Sequence, residues 1–365
     1  MTDIRWIRDR EEWDRLLLAF PHCDLRQSHA WGEIRRRQGW EPLRVAAFNG
    51  AECVVALSLY LRRVPGLGTI AYAPRGPVMD FASEHAWAAL PRLVGWAGRV
   101  VEAVFVRVSP ALGCEEATAL SQLAAAGFVA LPDFWSLWNT PRSIMRLDLA
   151  GSERDVLARM AKKRRQHITT APQHGIDVEW GTGLDSLRSF YTLLKDHAER
   201  LRYPVRDWSY FEAVYEAFAP DRALALIYGR RQGETVCARL GVRFGAAAYA
   251  LYAPSTPAVR GTAAGEAVHW EWIRWARAAD CREIDFGGSG TYVPPRETEA
   301  NYGIYRFKAE LGCRLELTAP YHDYVFSPLR YRMFRAIEQH AMFPARVWLG
   351  RLSPRVRAVI TRCAA

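Results

Sequence analysis

Lysine is almost missing from this chain: four residues, Lys162, Lys163, Lys195 and Lys308, stand against 45 arginines. Long apolar runs are missing as well. No stretch of 18 apolar residues occurs, so no segment reads as a membrane-spanning helix. The N-terminal MTDIRWIRDREEW has no apolar h-region, which argues against a secretory signal and implies a cytoplasmic location. Seven cysteines (Cys23, Cys53, Cys114, Cys237, Cys281, Cys313, Cys363) form no C-x-x-C pair, and nine histidines form no H-E-x-x-H or zinc-spaced cluster. Reduced thiols and no metal are therefore expected. What is present is a globular composition: 365 residues, 50% hydrophobic and 24% charged, room for two domains. The formal charge of +10 is unevenly placed, with +1 over residues 1–145, +2 over 146–325 and +7 over 326–365. A polyanion or an anionic surface is a fitting partner for the last forty residues.

Local signals give an α/β chain whose halves run in the same order. In the first half, Asp9 caps a helix carrying Trp13, Leu16, Leu17 and Phe20, and Ser28 opens a second that ends at Arg35-Arg36-Arg37. Strands over 43–48, 54–61 and 69–72 follow, the first two joined by the Asn49-Gly50 turn. A helix over about 84–99, a strand over 104–108 and a helix over 115–126 ended by Gly127 complete the half. In the second half, helices are predicted from Ser152 to about Thr170, over 184–200 and over 207–218. Strands over 224–229, 235–242 and 247–252, a helix over 263–279 and a strand over 283–286 follow. Tyr72-Ala73-Pro74 recurs as Tyr252-Ala253-Pro254, 180 residues on, which reads as duplication of one domain. Residues 1–145 form the first domain, 146–320 the second, and 321–365 a basic segment packing on the first.

Meander, strand, glycine-bearing loop, helix and strand is an order that resembles the N-acetyltransferase superfamily, giving an expected fold of two tandem acyl-CoA N-acyltransferase-like (GNAT-like) α/β domains with mixed sheets. In that superfamily the loop Arg/Gln-x-x-Gly-x-Gly/Ala presents N–H groups to a cofactor pyrophosphate. Here the loop reads Arg260-Gly261-Thr262-Ala263-Ala264-Gly265, with Ala263 in place of the first glycine, and the first half has no version of it. Acetyl-CoA binding is therefore not expected.

More specific stretches are Gln27-Ser28-His29-Ala30-Trp31-Gly32-Glu33-Ile34-Arg35, Tyr72-Ala73-Pro74-Arg75-Gly76-Pro77-Val78, Ile284-Asp285-Phe286-Gly287-Gly288 and Gly303-Ile304-Tyr305-Arg306-Phe307-Lys308. Together they resemble the FemABX family of peptidoglycan-bridge aminoacyltransferases over about residues 20–330. The resemblance implies transfer of an amino acid from aminoacyl-tRNA to an amine on the stem peptide of a peptidoglycan precursor, lipid II or UDP-MurNAc-pentapeptide, with no cofactor. It implies that Lys308 is the catalytic cation beside the developing oxyanion. It implies further that Arg35, standing where the family carries a lysine, Arg206, Tyr210 and Tyr252 bind the substrate. Arg206 and Tyr210 are four apart and can share a helix face. The family's acid before a proline is Ser109 here, so no general base is assigned; Asp285 either serves or only holds its turn.

Two basic elements keep alternative readings. Lys162-Lys163-Arg164-Arg165 either contacts tRNA phosphates or is a solvated helix face. At the C-terminus, Tyr331, Phe334, Ile337 and Ala341 share a helical face, and the apolar residues between 347 and 360 alternate with arginines. That pair can make peripheral membrane contact, grip tRNA, or pack on the first domain. Competing functions are aminoacyl transfer to another peptide or natural product, acyl-CoA-dependent N-acyl transfer, and a non-catalytic RNA- or membrane-binding role.

Overall fold

Asp9 accepts the Glu12 N–H at 2.8 Å and Ser28 accepts the Trp31 N–H at 3.1 Å, so both expected caps start their helices. A computed structural model describes residues 2–131, 141–289, 295–299 and 302–342. They divide into two units, residues 2–142 with 317–342, and residues 143–316. Each unit is a mixed α/β domain built on one mixed sheet.

In the first unit, β1 (Thr2–Trp6) leads to α1 (Arg10–Leu18) and α2 (His29–Arg36). An antiparallel meander of β2 (Glu41–Asn49), β3 (Glu52–Val64) and β4 (Gly68–Arg75) follows, with β5 (Val78–Met79) against β3. The connection through α3 (Glu84–Val100) brings β6 (Ala103–Pro110) parallel to β4, and α4 (Ala117–Ala125) and β7 (Val129–Ala130) come next. Leu90, Leu93, Val94 and Ala97 of α3 bury against Leu57, Ala71 and Val106 of the sheet, burial that drives this packing. Buried Gln27 ties its own stretch to the one that begins at Tyr72. Its Oε1 accepts the Ser58 N–H at 2.7 Å, and its Nε2 donates to the carbonyls of Pro74 (2.8 Å) and Ser58 (3.2 Å). A Cβ on Gly76 would come within 3.0 Å of that carboxamide, so the turn after Pro74 needs glycine. Gln27→Ala strands three buried backbone groups and is expected to destabilise this unit by about 2–4 kcal/mol, read as a lower urea midpoint at unchanged slope.

The second unit begins with β8 (Ser143–Asp148), α5 (Glu153–Ala158) and α6 (Lys162–Thr170). The single helix expected from Ser152 to Thr170 is thus two helices. Ala161 between them is extended (φ −58°, ψ 143°), and its N–H leaves the helical ladder to donate to the Glu310 carbonyl at 2.8 Å. Strand β9 (Ile176–Trp180), helices α7 (Gly183–Leu201) and α8 (Trp208–Phe218), and the meander β10 (Leu224–Arg231), β11 (Glu234–Phe244) and β12 (Ala247–Tyr252) follow. The β10–β11 turn has positive φ at both central residues, Gln232 (52°) and Gly233 (80°), the geometry whose twist suits a two-residue hairpin. Helix α9 (Ala264–Ala278) crosses to β13 (Glu283–Gly288), parallel to β12, and α10 (Tyr302–Glu310) and β14 (Arg314–Leu317) complete the unit.

The strand orders correspond position by position: β1-β2-β3-β4-β6-β15-β7 in the first sheet, β9-β10-β11-β12-β13-β8-β14 in the second. Strand β15 (His322–Val325) lies between β6 and β7, antiparallel to both, although it follows β14 in the chain. Strand β8 follows β7 in the chain and fills the matching place in the second sheet. The two halves have exchanged their last strands.

Beyond β15, α11 (Pro328–Ile337) buries Phe334 against Phe105, at 5.0 Å between ring centroids. The helical face expected to run from Tyr331 through Phe334 to Ile337 and Ala341 is corrected: Ile337 is 42% exposed and Glu338 is buried in its stead. The reason is a charge at the bottom of the groove. Arg107 on β6 is fully buried and claims Glu338, where the helix widens to π geometry over Glu338–Met342. The arginine-rich stretch 343–365 lies outside the described residues.

Candidate active site

In the second unit, the parallel ladder between β12 and β13 runs only from Ala247 opposite Glu283 to Tyr249 opposite Asp285. Both strands continue for three more residues, to Tyr252 and Gly288. The corresponding ladder in the first unit stays paired from Thr69 opposite Ala103 to Arg75 opposite Pro110, and is closed at its end by the Arg75 N–H donating to Ser109 Oγ at 3.1 Å. An opening at the carboxyl ends of parallel strands is where α/β sheets take ligands, and only the second unit's ladder stops short.

Four of the five expected site residues belong to this second unit. Lys308, in the last turn of α10, donates from Nζ to the carbonyls of Phe286 and Gly288, both at 2.7 Å, at the end of β13. Two backbone acceptors fix the ammonium and leave its third proton without an acceptor among the described residues. Burial lowers the Lys308 pKa to about 8; the nearby Arg239 charge adds to the fall, and the charges of Cys313 and Asp285 oppose it. At the end of β12, Tyr252 meets Tyr210 and Arg206 from α8 and the turn before it. The Tyr210 and Tyr252 rings are 6.3 Å apart, and the Arg206 guanidinium lies 5.0 Å from the Tyr210 ring. Burial raises the Tyr252 pKa, while the Arg206 charge and hydrogen bonds with Arg206 and Tyr210 act the other way. Arg35 is in the first unit, on α2. Its guanidinium lies 5.1 Å from the Trp40 ring and donates to Gln38 Oε1 at 2.8 Å, while its neighbour Arg36 pairs with Glu33 and Glu41 at the surface.

Asp285 accepts the Gly287 N–H at 2.6 Å, which holds the turn that carries the Phe286 and Gly288 carbonyls. The run Lys162 to Arg165 does not form one basic face. Arg165 donates to the Ala158 and Met160 carbonyls and Arg164 pairs with Glu266 and Glu310, which leaves Lys162 and Lys163 exposed.

Sequence reasoning did not single out Arg239. Only 2% exposed, it lies between the rings of Trp272 (3.9 Å) and Phe286 (5.1 Å), the residue whose carbonyl holds Lys308. Its Nη1 donates to His269 Nε2 at 2.6 Å, and the ring's Nδ1 donates to the Gly265 carbonyl at 2.6 Å. Those bonds require the neutral imidazole, and burial together with Arg239 holds the His269 pKa well below its usual value. Nε and Nη2 of Arg239 have no hydrogen-bond partner among the described residues. Burial lowers its pKa to about 9. The sequence signal is an arginine in the middle of 236–242, a stretch of β11 that is otherwise apolar.

A cavity of about 400 Å³ opens beside the loop 260–265. Its lining includes Gly261, Thr262 and Gly265 of the loop, Glu266 and His269 of α9, and Phe307 next to Lys308. In acetyltransferases this loop takes a cofactor pyrophosphate. The residues present do not fit one, because Glu266 sets a buried carboxylate in the first turn of α9.

Residues 9–127 match the FemAB family, and residues 155–308 match an acetyltransferase (GNAT) domain. The lipid II:glycine glycyltransferase of Staphylococcus haemolyticus is 22% identical over 90% of this chain and 94% of its own. Over both halves the chain is similar to the FemABX family. The lipid II:glycine glycyltransferase of Staphylococcus aureus is 28% identical over 58% of this chain, which spans about half (51%) of that relative's length. The fold agrees with the crystal structure of FemX, at a TM-score of 0.83 and 21% identity over 92% of this chain and 100% of that one. It agrees more loosely with a tandem GNAT protein from the clavulanic acid biosynthesis pathway, at 0.51 and 13% over 88% and 98%.

Proposed function

We propose that this chain is an aminoacyltransferase that moves an amino acid from aminoacyl-tRNA to an amine on the stem peptide of a peptidoglycan precursor, lipid II or UDP-MurNAc-pentapeptide. The amine nitrogen attacks the ester carbonyl, the new C–N bond forms, and the ester C–O bond to the ribose breaks. The ribose oxygen leaves with a proton that the amine gives up. No oxidant or reductant is needed.

The observation that carries this reading is the Lys308 ammonium, held at 2.7 Å by two carbonyls where the parallel ladder ends. A cation fixed in advance stabilises the tetrahedral oxyanion more than the uncharged ester. Arg206, Tyr210 and Tyr252 offer a charged and hydroxyl-bearing surface for diphosphate and sugar-peptide, and Arg35 offers a further guanidinium for phosphate. The lipid II named for the staphylococcal relatives supports a lipid-linked acceptor. Peripheral contact with the inner face of a membrane suits α11, which exposes Leu329, Met333 and Ile337 alongside Arg330 and Arg332. Among the described residues no helix is long and apolar enough to cross a membrane.

The test is a panel of tRNAs, each charged with its labelled amino acid, incubated with the protein and soluble or lipid-linked precursor. Label is expected to move to one precursor from one charged tRNA. Absence of transfer from every charged tRNA to either precursor overturns the reading.

A further inference from the structure

The loop and first turn of α9 are shaped as an anion site, and this chain fills that place from within. Helix α9 has no side-chain N-cap, and Lys163, Arg164 and His167 of α6 line the same cavity. Glu266, the third residue of α9, is 5% exposed. Its Oε1 accepts from Arg164 Nη1 and lies 2.9 Å from His167 Nδ1. Arg164 is held on its other side by Glu310, with Nε donating at 2.9 Å and Nη2 at 2.7 Å, and its guanidinium lies 4.8 Å from the Phe307 ring. Arg164 and His167, two of the three basic side chains that would meet an incoming phosphate, are therefore engaged by a carboxylate of the chain itself. Lys163, the third, is solvent-exposed, where its charge is screened.

We propose that Glu266 is a built-in anion that closes this cavity to phosphate-bearing ligands, coenzyme A included, and leaves it to groups without negative charge. The carboxylate sits where helix N–H groups and cations would otherwise gather around a phosphate, and it repels a second anion at a separation where burial weakens screening. The Arg164 pairing with Glu310 also keeps the guanidinium from turning to a ligand while Glu266 holds its other edge. This selectivity holds for any acyl donor other than one carried by coenzyme A.

Titration calorimetry on the full chain with coenzyme A and with inorganic pyrophosphate tests it, using Glu266→Gln and Glu266→Thr beside the chain with Glu266 in place. In an Arg206→Gln background, which removes the separate diphosphate surface, no saturable binding of either probe is expected below ~1 mM with Glu266 in place, and both Glu266 variants are expected to gain at least about tenfold in pyrophosphate affinity. The gain is expected to shrink with added salt and to vanish when Arg164→Gln is added to Glu266→Gln. Saturable binding of either probe in that background with Glu266 in place overturns the proposal without any Glu266 variant. So does a Glu266→Gln or Glu266→Thr protein that keeps the wild-type circular dichroism and melting temperature yet binds pyrophosphate no better.

Discussion

Lys308→Ala is expected to lower kcat for aminoacyl transfer by about 10²- to 10³-fold with little change in KM, the loss typical when one oxyanion-stabilising donor is removed. The ammonium is anchored by the Phe286 and Gly288 carbonyls rather than by a carboxylate, so its positive charge stays available to a developing anion. Lys308→Arg should not restore the rate, because a planar fork cannot keep a point charge between two carbonyl oxygens. The pH profile separates this role from a merely structural one. Burial first, and Arg239 second, lower the Lys308 pKa to about 8 against the opposing charges of Cys313 and Asp285. The charged form is the active one and exists below that pKa, so kcat should fall as pH rises through about 8, well before an ordinary lysine would lose its proton. Arg239→Met removes the neighbouring cation and should move that falling limb to higher pH. A flat profile between pH 7 and pH 9, across which the neutral-to-charged ratio of a group with that pKa rises from about 0.1 to about 10, would remove Lys308 from the chemistry.

Elements built from contiguous signals were legible in the sequence. The Asp9 and Ser28 caps, the Gln232-Gly233 turn and the apolar faces of α3 and α9 each carry their reason within a few residues, and Asn49-Gly50 marks its hairpin one residue early, since Asn49 pairs with Glu52 and the loop is Gly50 and Ala51. So does the four-residue spacing that lets Arg206 meet Tyr210. What escaped reading depends on partners far along the chain. Strand β15 reads His-Asp-Tyr-Val, with no apolar alternation, because its buried Asp323 pairs with an arginine 216 residues away. Glu266 looks like an ordinary first-turn acid of an amphipathic helix until α6, 99 to 102 residues earlier, is brought against it. Strand β9 buries only Ile176, so its pattern is that of a loop. Lys308 stood out through its motif, yet its two carbonyl anchors lie 20 and 22 residues upstream, across a turn no periodicity marks.

The same long-range logic puts Arg107 at the junction that holds the chain's last described segment in the first unit. Arg107 is fully buried, and its Nε and Nη2 each donate to Asp323 at 2.7 Å while Nη1 donates to Glu338 at 2.6 Å. Burial opposes its charge, but the two carboxylates and their hydrogen bonds more than offset that, and its pKa ends above the ordinary value. Tyr331 donates to Asp323 at 2.9 Å and Arg335 pairs with Glu338, so β15 and α11 meet β6 through one network. Arg107→Met leaves two buried carboxylates without their common cation and is expected to cost about 3–5 kcal/mol. Because Asp323 and Glu338 lie in β15 and just past α11, the loss should appear first as faster proteolysis after residue 317, before global melting shifts. Arg107→Lys cannot make the bidentate contact and should recover only part of the loss. Replacing all three, Arg107→Met with Asp323→Leu and Glu338→Leu, removes the stranded charges together and should return most of the stability. If the triple variant is no more stable than Arg107→Met, the cost comes from lost packing around Phe105 and Phe334 rather than from uncompensated charge.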